Sequence, residues 1–392
     1  MNRDDVHAGQ SPVQRKMLSP NSFRHPDSGR IWTMVEYWTI QPPALGRRQL
    51  LANQHTLKSC IAVLVIVALG GGHAADGVSA TSTRRHESVP VSAPTEDDAA
   101  VLWHDPGEIE KLDFANGPRG AQGRPAPPFQ FVDESPAGSA PKIRVVDAKD
   151  VEWMVKFGEE ARPQTFASRL AWALGYFVLP IYFIPSGMIR GVTPLKRAAK
   201  YMKPDGRFTN ASFEVYVDSS VRWLGDAQSW RWDTNPFVGT NQLNGLKVLL
   251  MLLSDWDNKD ARDLKHGSNT VILIYPSGEA RYLVIDWGAS MGRWGGYLSR
   301  SKWNCEGFQQ QTRDLVRAVH GGGLQWGYSG QHTNDFVKDI HRDDVRWLLA
   351  YLDHITDTQL HDALLSSGAM PTEADCFANA LRNRVAALQT VR

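Results

Sequence analysis

The chain has 392 residues with 43 Lys+Arg against 42 Asp+Glu, a formal net charge of +1. With 42% apolar and 22% charged residues it is a globular chain with room for two domains or one two-lobed one, which excludes wholesale disorder. The near-zero charge argues against a dedicated nucleic-acid binder, and Cys60, Cys305 and Cys376 are too few and scattered for a disulfide scaffold or a Cys-based zinc site.

Residues 1–57 are polar, without helical or strand periodicity, and read as a disordered leader. Cys60 to Leu69 is an apolar run closed by Gly70, Gly71 and Gly72, shorter than the ~20 residues a spanning helix needs. Arg47, Arg48 and Lys58 precede it and Val78-Ser79-Ala80 offers a small-residue cleavage site, so 58–80 reads as a signal peptide or membrane anchor. The expectation is an exported or anchored protein, membrane-associated through 60–72, with Met34 a candidate true start that would shorten the stretch ahead of the apolar run, or a cytoplasmic one if the start is misassigned. Residues 81–102, rich in Ser, Thr, Pro and Ala, read as a linker.

Order is expected from Phe129. Alternation predicts strands at Phe129–Val132, Lys142–Val146 and Val151–Phe157, with a small-residue turn holding Gly138 and Ser139 between the first two. Pro163 opens a helix that Gly175 stops, and two more strands are expected at 176–184 and 213–217. Asn241–Leu253 predicts an apolar helix, 270–275 and 281–285 a hairpin across Pro276-Ser277-Gly278, and the remainder helices, the clearest at 343–354 and 357–365. The 14 Trp are over-represented, and several adjoin acids, as in Asp255-Trp256-Asp257 and Asp286-Trp287-Gly288.

Three features fall in a meaningful order: Lys156 on the third strand, Asp257-Asn258-Lys259 after an apolar helix, and Asp286-Trp287-Gly288 at the end of a hairpin strand. Over about residues 129–300 this trio resembles the protein-kinase-like fold, with its strand Lys, catalytic-loop D-x-K and metal-binding D-x-G. The short Ser/Gly turn in place of a full Gly-rich loop is similar to atypical kinases, phosphoinositide-kinase-like or HipA-type. It is also similar to bacterial proteins with W-x-V-K, W-D-x-K and D-x-G motifs. The resemblance implies an α+β, two-lobed fold, with a small antiparallel-sheet lobe bearing one helix (103–232) and a larger, mainly helical lobe (233–392).

It also implies an ATP- and Mg²⁺-dependent phosphotransferase acting on a protein, lipid or small-molecule acceptor. Lys156 would hold the α- and β-phosphates, and Gly138, Ser139 and Lys142 would cap them. Asp257 would act as base, Lys259 would stabilise the transferring group, and Asp286 would bind metal. The family's second metal ligand is an Asn five residues after the catalytic Asp, where Arg262 stands here; Asn269, just before a strand, is favoured instead, with Asp263 as the substitute. No acid occurs from Ala161 to Pro204, so the helix Glu that should pair the strand Lys is Glu160, the neutral Gln164, or absent.

Two other readings stay open: a pseudokinase-like module that binds nucleotide or a partner without catalysis, and a metal-dependent phosphohydrolase. His341-Arg342-Asp343 imitates the kinase H-R-D but follows the D-x-G and begins a helix, so Asp343 reads as a helix N-terminal charge. The Asp255-to-His266 stretch fails as an EF-hand, with Asp260 where Gly is needed and His266 where Glu is needed. H-E-x-x-H does not occur.

Overall fold

The computed structural model describes Pro94 and residues 98–391, apart from Ala137, Ser139, His266, Gly321, Gly322 and Thr333. The leader and the apolar run therefore lie outside the described residues. Among the described residues no helix is long and apolar enough to cross a membrane.

In chain order the elements begin with β1 (Ala99–Val101), β2 (Phe129–Ser135), β3 (Lys142–Val146), β4 (Glu152–Phe157) and α1 (Ala161–Ala173). Then follow β5 (Ile181–Arg190), β6 (Arg207–Val215), β7 (Arg222–Leu224), α2 (Asn241–Leu252), β8 (Thr270–Ile274) and β9 (Glu279–Val284). The chain ends with α3 (Cys305–Gln310), β10 (Val316–His320), β11 (Gly323–Trp326), α4 (Arg342–Leu352), α5 (Asp357–Ser366) and α6 (Pro371–Gln389).

Strands β2, β3, β4, β6 and β5 close into a small barrel, antiparallel throughout except where β2 meets β5. Its interior follows from period-2 alternation: Ile143, Val145, Trp153, Val155, Phe157 and Phe213 point inward and are buried together. Lys156 lies between two of these positions and so points outward, yet it is only 5% exposed because the outer face is covered.

The larger lobe is built around α2, with its N-terminus capped by Thr240, whose Oγ1 accepts from Leu243 N at 3.2 Å. Apolar residues on every side bury α2 among α4, α6 and the second sheet, in which β7, β8 and β9 are antiparallel and β1 adds in parallel to β9. At the end of α2, the buried Arg384 of α6 donates to Leu252 O and Ser254 Oγ, both at 2.7 Å. A disulfide between Cys305 and Cys376 ties α3 to α6.

Several boundaries move from those expected. Residues 99–101 are not linker but a paired strand, and Leu102, Ile109 and Phe114 join the large-lobe core, so the segment after the linker belongs there and not to the barrel. Strand β7 pairs with β8, so the barrel lobe ends at β6 rather than near Trp232. The strand expected at 176–184 runs from 181 to 190 instead. Although the cysteines form no scaffold, two of them are bonded to each other. His341 and Asp344 form a capping box at α4, which accounts for the H-R-D look-alike.

Candidate active site

Lys156 Nζ stands 3.6 Å from Asp286 Oδ1, bringing the strand lysine of one lobe against the D-x-G aspartate of the other. Burial by itself would lower the Lys156 ammonium, but the Asp286, Glu214 and Glu160 carboxylates outweigh it and hold the pKa above the ordinary lysine value. Burial likewise opposes ionisation of Asp286, and the Lys156 charge overcomes it, leaving the carboxyl below its usual range. Gly288 N also donates to Asp286 Oδ1 at 3.1 Å, closing the D-x-G turn. A Cβ at Gly288 would lie 2.8 Å from Glu160 Cβ, so this third position needs glycine for close approach to the start of α1.

The expected helix acid is placed differently. Glu160 Oε1 pairs with Lys302 Nζ at 2.5 Å, and Gln164 Nε2 donates to Glu214 Oε2 at 2.6 Å. Glu214 lies on β6, two residues from Ser212, which faces Lys156 across the β4–β6 ladder. The strand thus supplies a carboxylate that the helix lacks. Burial raises the Glu214 carboxyl, with Lys156 and Lys142 opposing. Lys142, directly across the ladder from Lys156, is pushed down by burial and by that neighbouring charge.

The turn after β2 is pinned by Arg197, which donates to Pro136 O at 2.9 Å and Gly138 O at 2.7 Å. Glu134 accepts the backbone N–H groups of Lys196, Arg197 and Ala198 at 2.7–2.8 Å. Gly138 has φ +69°, and a Cβ there would stand 3.6 Å from Lys142 Nζ, which places that ammonium beneath the turn. Ser139 lies outside the described residues.

The D-x-K loop leaves α2 through Ser254 at φ +58°. Asp255, 1% exposed, accepts from Ser290 Oγ at 3.0 Å; burial and the neighbouring Asp257 charge push its carboxyl well up. Asp257 behaves oppositely. Burial would raise it, but the hydrogen bond from His332 and the charge of Lys259 hold it at about 2. Lys259 Nζ is 3.4 Å from Asp257 Oδ2, and His332 Nε2 donates to Asp257 Oδ1 at 2.8 Å. On its other side, His332 Nδ1 meets Asp263 Oδ2 at 2.5 Å.

Asn269 Nδ2 donates to Asp257 O at 2.6 Å, and its own carbonyl accepts from Ile285 N at 2.9 Å, next to Asp286. Asn269 therefore bridges the D-x-K loop and the D-x-G strand, using its amide donor and leaving Oδ1 as an acceptor. Arg262, which occupies the family's Asn position, turns away to pair with Asp260, Asp233 and Asp335 and is a structural clamp. Trp256 donates to Ser301 O at 3.0 Å and lies under Arg300, while the wholly buried Trp287 donates to Val284 O at 3.1 Å. These indoles carry the two aspartate loops on the core.

The residues suit a hydrated divalent cation with a polyphosphate. Glu160 Oε2, Gln164 Oε1 and Ser212 Oγ are buried without a partner in the neighbourhood of Lys156, and unpaired buried oxygens of this kind mark a place for a ligand. Among the described residues no group of three or more His, Cys, Asp or Glu side chains could hold a metal alone. Mg²⁺ commonly takes one or two carboxylates and completes its octahedron with waters and phosphate oxygens. Of the residues singled out in the sequence, Lys156, Lys142, Glu160, Asp257, Lys259, Asn269 and Asp286 converge on this cleft, Gly138 roofs it, and Asp263 stands behind His332. Sequence reasoning missed Glu214, His332 and Lys302.

The arrangement is an α+β fold with a five-stranded barrel lobe and a larger, mainly helical lobe. No protein-family model and no curated protein matches the sequence. Among solved structures, the proinflammatory kinase CtkA of Helicobacter pylori is similar at 13% identity, over 67% of this chain and 96% of that one, with a TM-score of 0.41. The Golgi casein kinase is similar at 13% identity over 74% of this chain and 76% of that one, TM-score 0.35. Its Mn/ADP-bound form matches at 12% identity with the same coverage, TM-score 0.36.

Proposed function

We propose that the protein is an ATP- and Mg²⁺-dependent phosphotransferase. The observation that carries this reading is the 3.6 Å approach of Lys156 to Asp286, because a single nucleotide–metal complex must touch both. Lys156, with Lys142 beneath the Gly138 turn, binds the α- and β-phosphates. Asp286 and Asn269 would hold the metal, which would supply neutralisation of the polyphosphate charge. Asp257 takes the proton of the acceptor hydroxyl as that oxygen bonds to the γ-phosphorus and the bond to the β,γ-bridging oxygen breaks, releasing ADP. Lys259 neutralises the γ-phosphoryl oxygens. Asp257 can take this role because, despite burial, the His332 hydrogen bond and the Lys259 charge keep its carboxyl below the usual range and so ionised at neutral pH.

The acceptor is a hydroxyl of a protein, lipid or small molecule. The Cys305–Cys376 disulfide favours an oxidising compartment and supports reading residues 58–80 as an export signal or anchor. Mg-ATP at a hundredfold excess over Kd should stabilise the protein by about 2.7 kcal/mol, read as a rise in Tm. Asp286→Asn should abolish the rise. No stabilisation by any Mg-nucleotide refutes the reading, whereas binding that survives Asp257→Ala with no phosphotransfer in the wild type replaces it with a non-catalytic nucleotide-binding module.

A further inference from the structure

Residues 328–332 follow the D-x-K loop across space almost residue by residue. Tyr328 OH donates to Asp255 O, Gln331 N to Trp256 O at 2.7 Å, and His332 N to Asn258 Oδ1 at 3.1 Å. The approach is tight enough that a Cβ at Gly330 would stand 2.7 Å from Asn258 Oδ1. The segment ends with the His332 ring between two carboxylates, Asp257 at 2.8 Å and Asp263 at 2.5 Å. His332 and Asp257 are 75 positions apart in the chain, so no local turn accounts for the contact.

We propose that this segment is a brace for the catalytic loop and that His332 is a positioning residue, fixing Oδ1 of Asp257 so that Oδ2 is the oxygen that takes the acceptor proton. The inference rests on the phosphotransfer reading. The two oxygens of Asp257 are held unequally: Oδ1 by the His332 ring at 2.8 Å, itself anchored from behind by Asp263, and Oδ2 by the longer 3.4 Å approach of Lys259. Once Lys259 turns to the γ-phosphoryl group, Oδ2 is freed while Oδ1 stays bound. A carboxylate gripped at one oxygen cannot rotate about its terminal bond, so the free oxygen keeps one direction. Asp263 then acts through the imidazole ring rather than on the metal.

His332→Ala removes the grip, and His332→Gln keeps an Nε2 donor able to reach Asp257. With phosphotransfer measured under Mg-ATP saturation, His332→Ala should lower kcat about 10²-fold, the cost of misplacing a reacting group by about 1 Å, with KM for Mg-ATP unchanged within about twofold. His332→Gln should recover most of the loss, and Gly330→Ala, which pushes the brace off Asn258, should fall in the same direction as His332→Ala. An unaltered kcat in His332→Ala overturns the proposal. So does a parallel loss of nucleotide binding that Gln does not repair, which would make the residue merely structural. If the wild type transfers no phosphate, the phosphotransfer reading fails, and amide hydrogen exchange decides the brace. Faster exchange confined to residues 255–263 in His332→Ala and restored in His332→Gln supports it; unchanged exchange refutes it.

Discussion

Replacing Lys156 by Met removes the cation that Asp286, Glu214 and Glu160 share while keeping the length of the side chain. At 3.6 Å and an effective dielectric constant of about 20, the attraction to Asp286 is about 4–5 kcal/mol before desolvation is subtracted. Removing one partner of a buried pair costs about 3–5 kcal/mol. Asp286 is 30% exposed and keeps some contact with water, so the expected net loss is about 2–3 kcal/mol. For a domain of this size that is a fall in Tm of roughly 4–12 °C. Lys156→Met, Asp286→Asn and the double variant, unfolded in urea, form a thermodynamic cycle. The double variant should be less destabilised than the sum of the singles by about 1–3 kcal/mol, because Asn at 286 no longer strands a charge. Additivity within about 0.5 kcal/mol would refute the claim that this pair joins the two lobes, and a Lys156→Met protein that still binds Mg-ATP would refute the lysine's hold on the phosphates.

Asp257 falls from an ordinary 3.8 to about 2 in the folded chain, so its ionised form contributes about 2 kcal/mol that is fully present above its unfolded pKa and lost as pH falls through about 2. Urea titrations at pH 7 and pH 2.5 should show roughly two-thirds of that loss in the wild type and a loss smaller by about the same amount in Asp257→Asn; equal losses would contradict it. The Cys305–Cys376 bridge closes a loop with a separation of 71 residues, so Cys376→Ser, or reduction, should cost roughly 4 kcal/mol on the chain-entropy scale, seen as a lower urea midpoint. Gly288→Ala drives a methyl toward Glu160 Cβ at 2.8 Å and should cost about 1–3 kcal/mol while weakening the thermal response to Mg-ATP; an unchanged response would remove the glycine from the argument.

What could be read from the sequence is what short-range patterning encodes. Lys156 interrupts an alternating strand, Gly175 stops a helix, an apolar run leads into Asp257, and Asp286 closes a hairpin; each is specified by neighbours within a few positions. Such patterns say nothing about which distant strand supplies a charge. Thus the absence of acids from Ala161 to Pro204 looked like a missing partner for the lysine, although the carboxylate had moved to β6. The pairing Lys156↔Ser212 shows how it arrives: Glu214 is two residues along and so shares the face of Ser212, where Gln164 of α1 holds it by its amide. The same limit hid His332, whose sequence cue is a lone histidine in a polar stretch, and said nothing of what Arg262 does instead of binding metal, which is to clamp three aspartates. A strand-borne acid also alters how the cleft can be controlled. In a site whose lysine partner sits on the helix, swinging that helix away breaks the pair outright. Here a shift of α1 would break the 2.6 Å Gln164–Glu214 bond but leave Glu214 on the same sheet as Lys156.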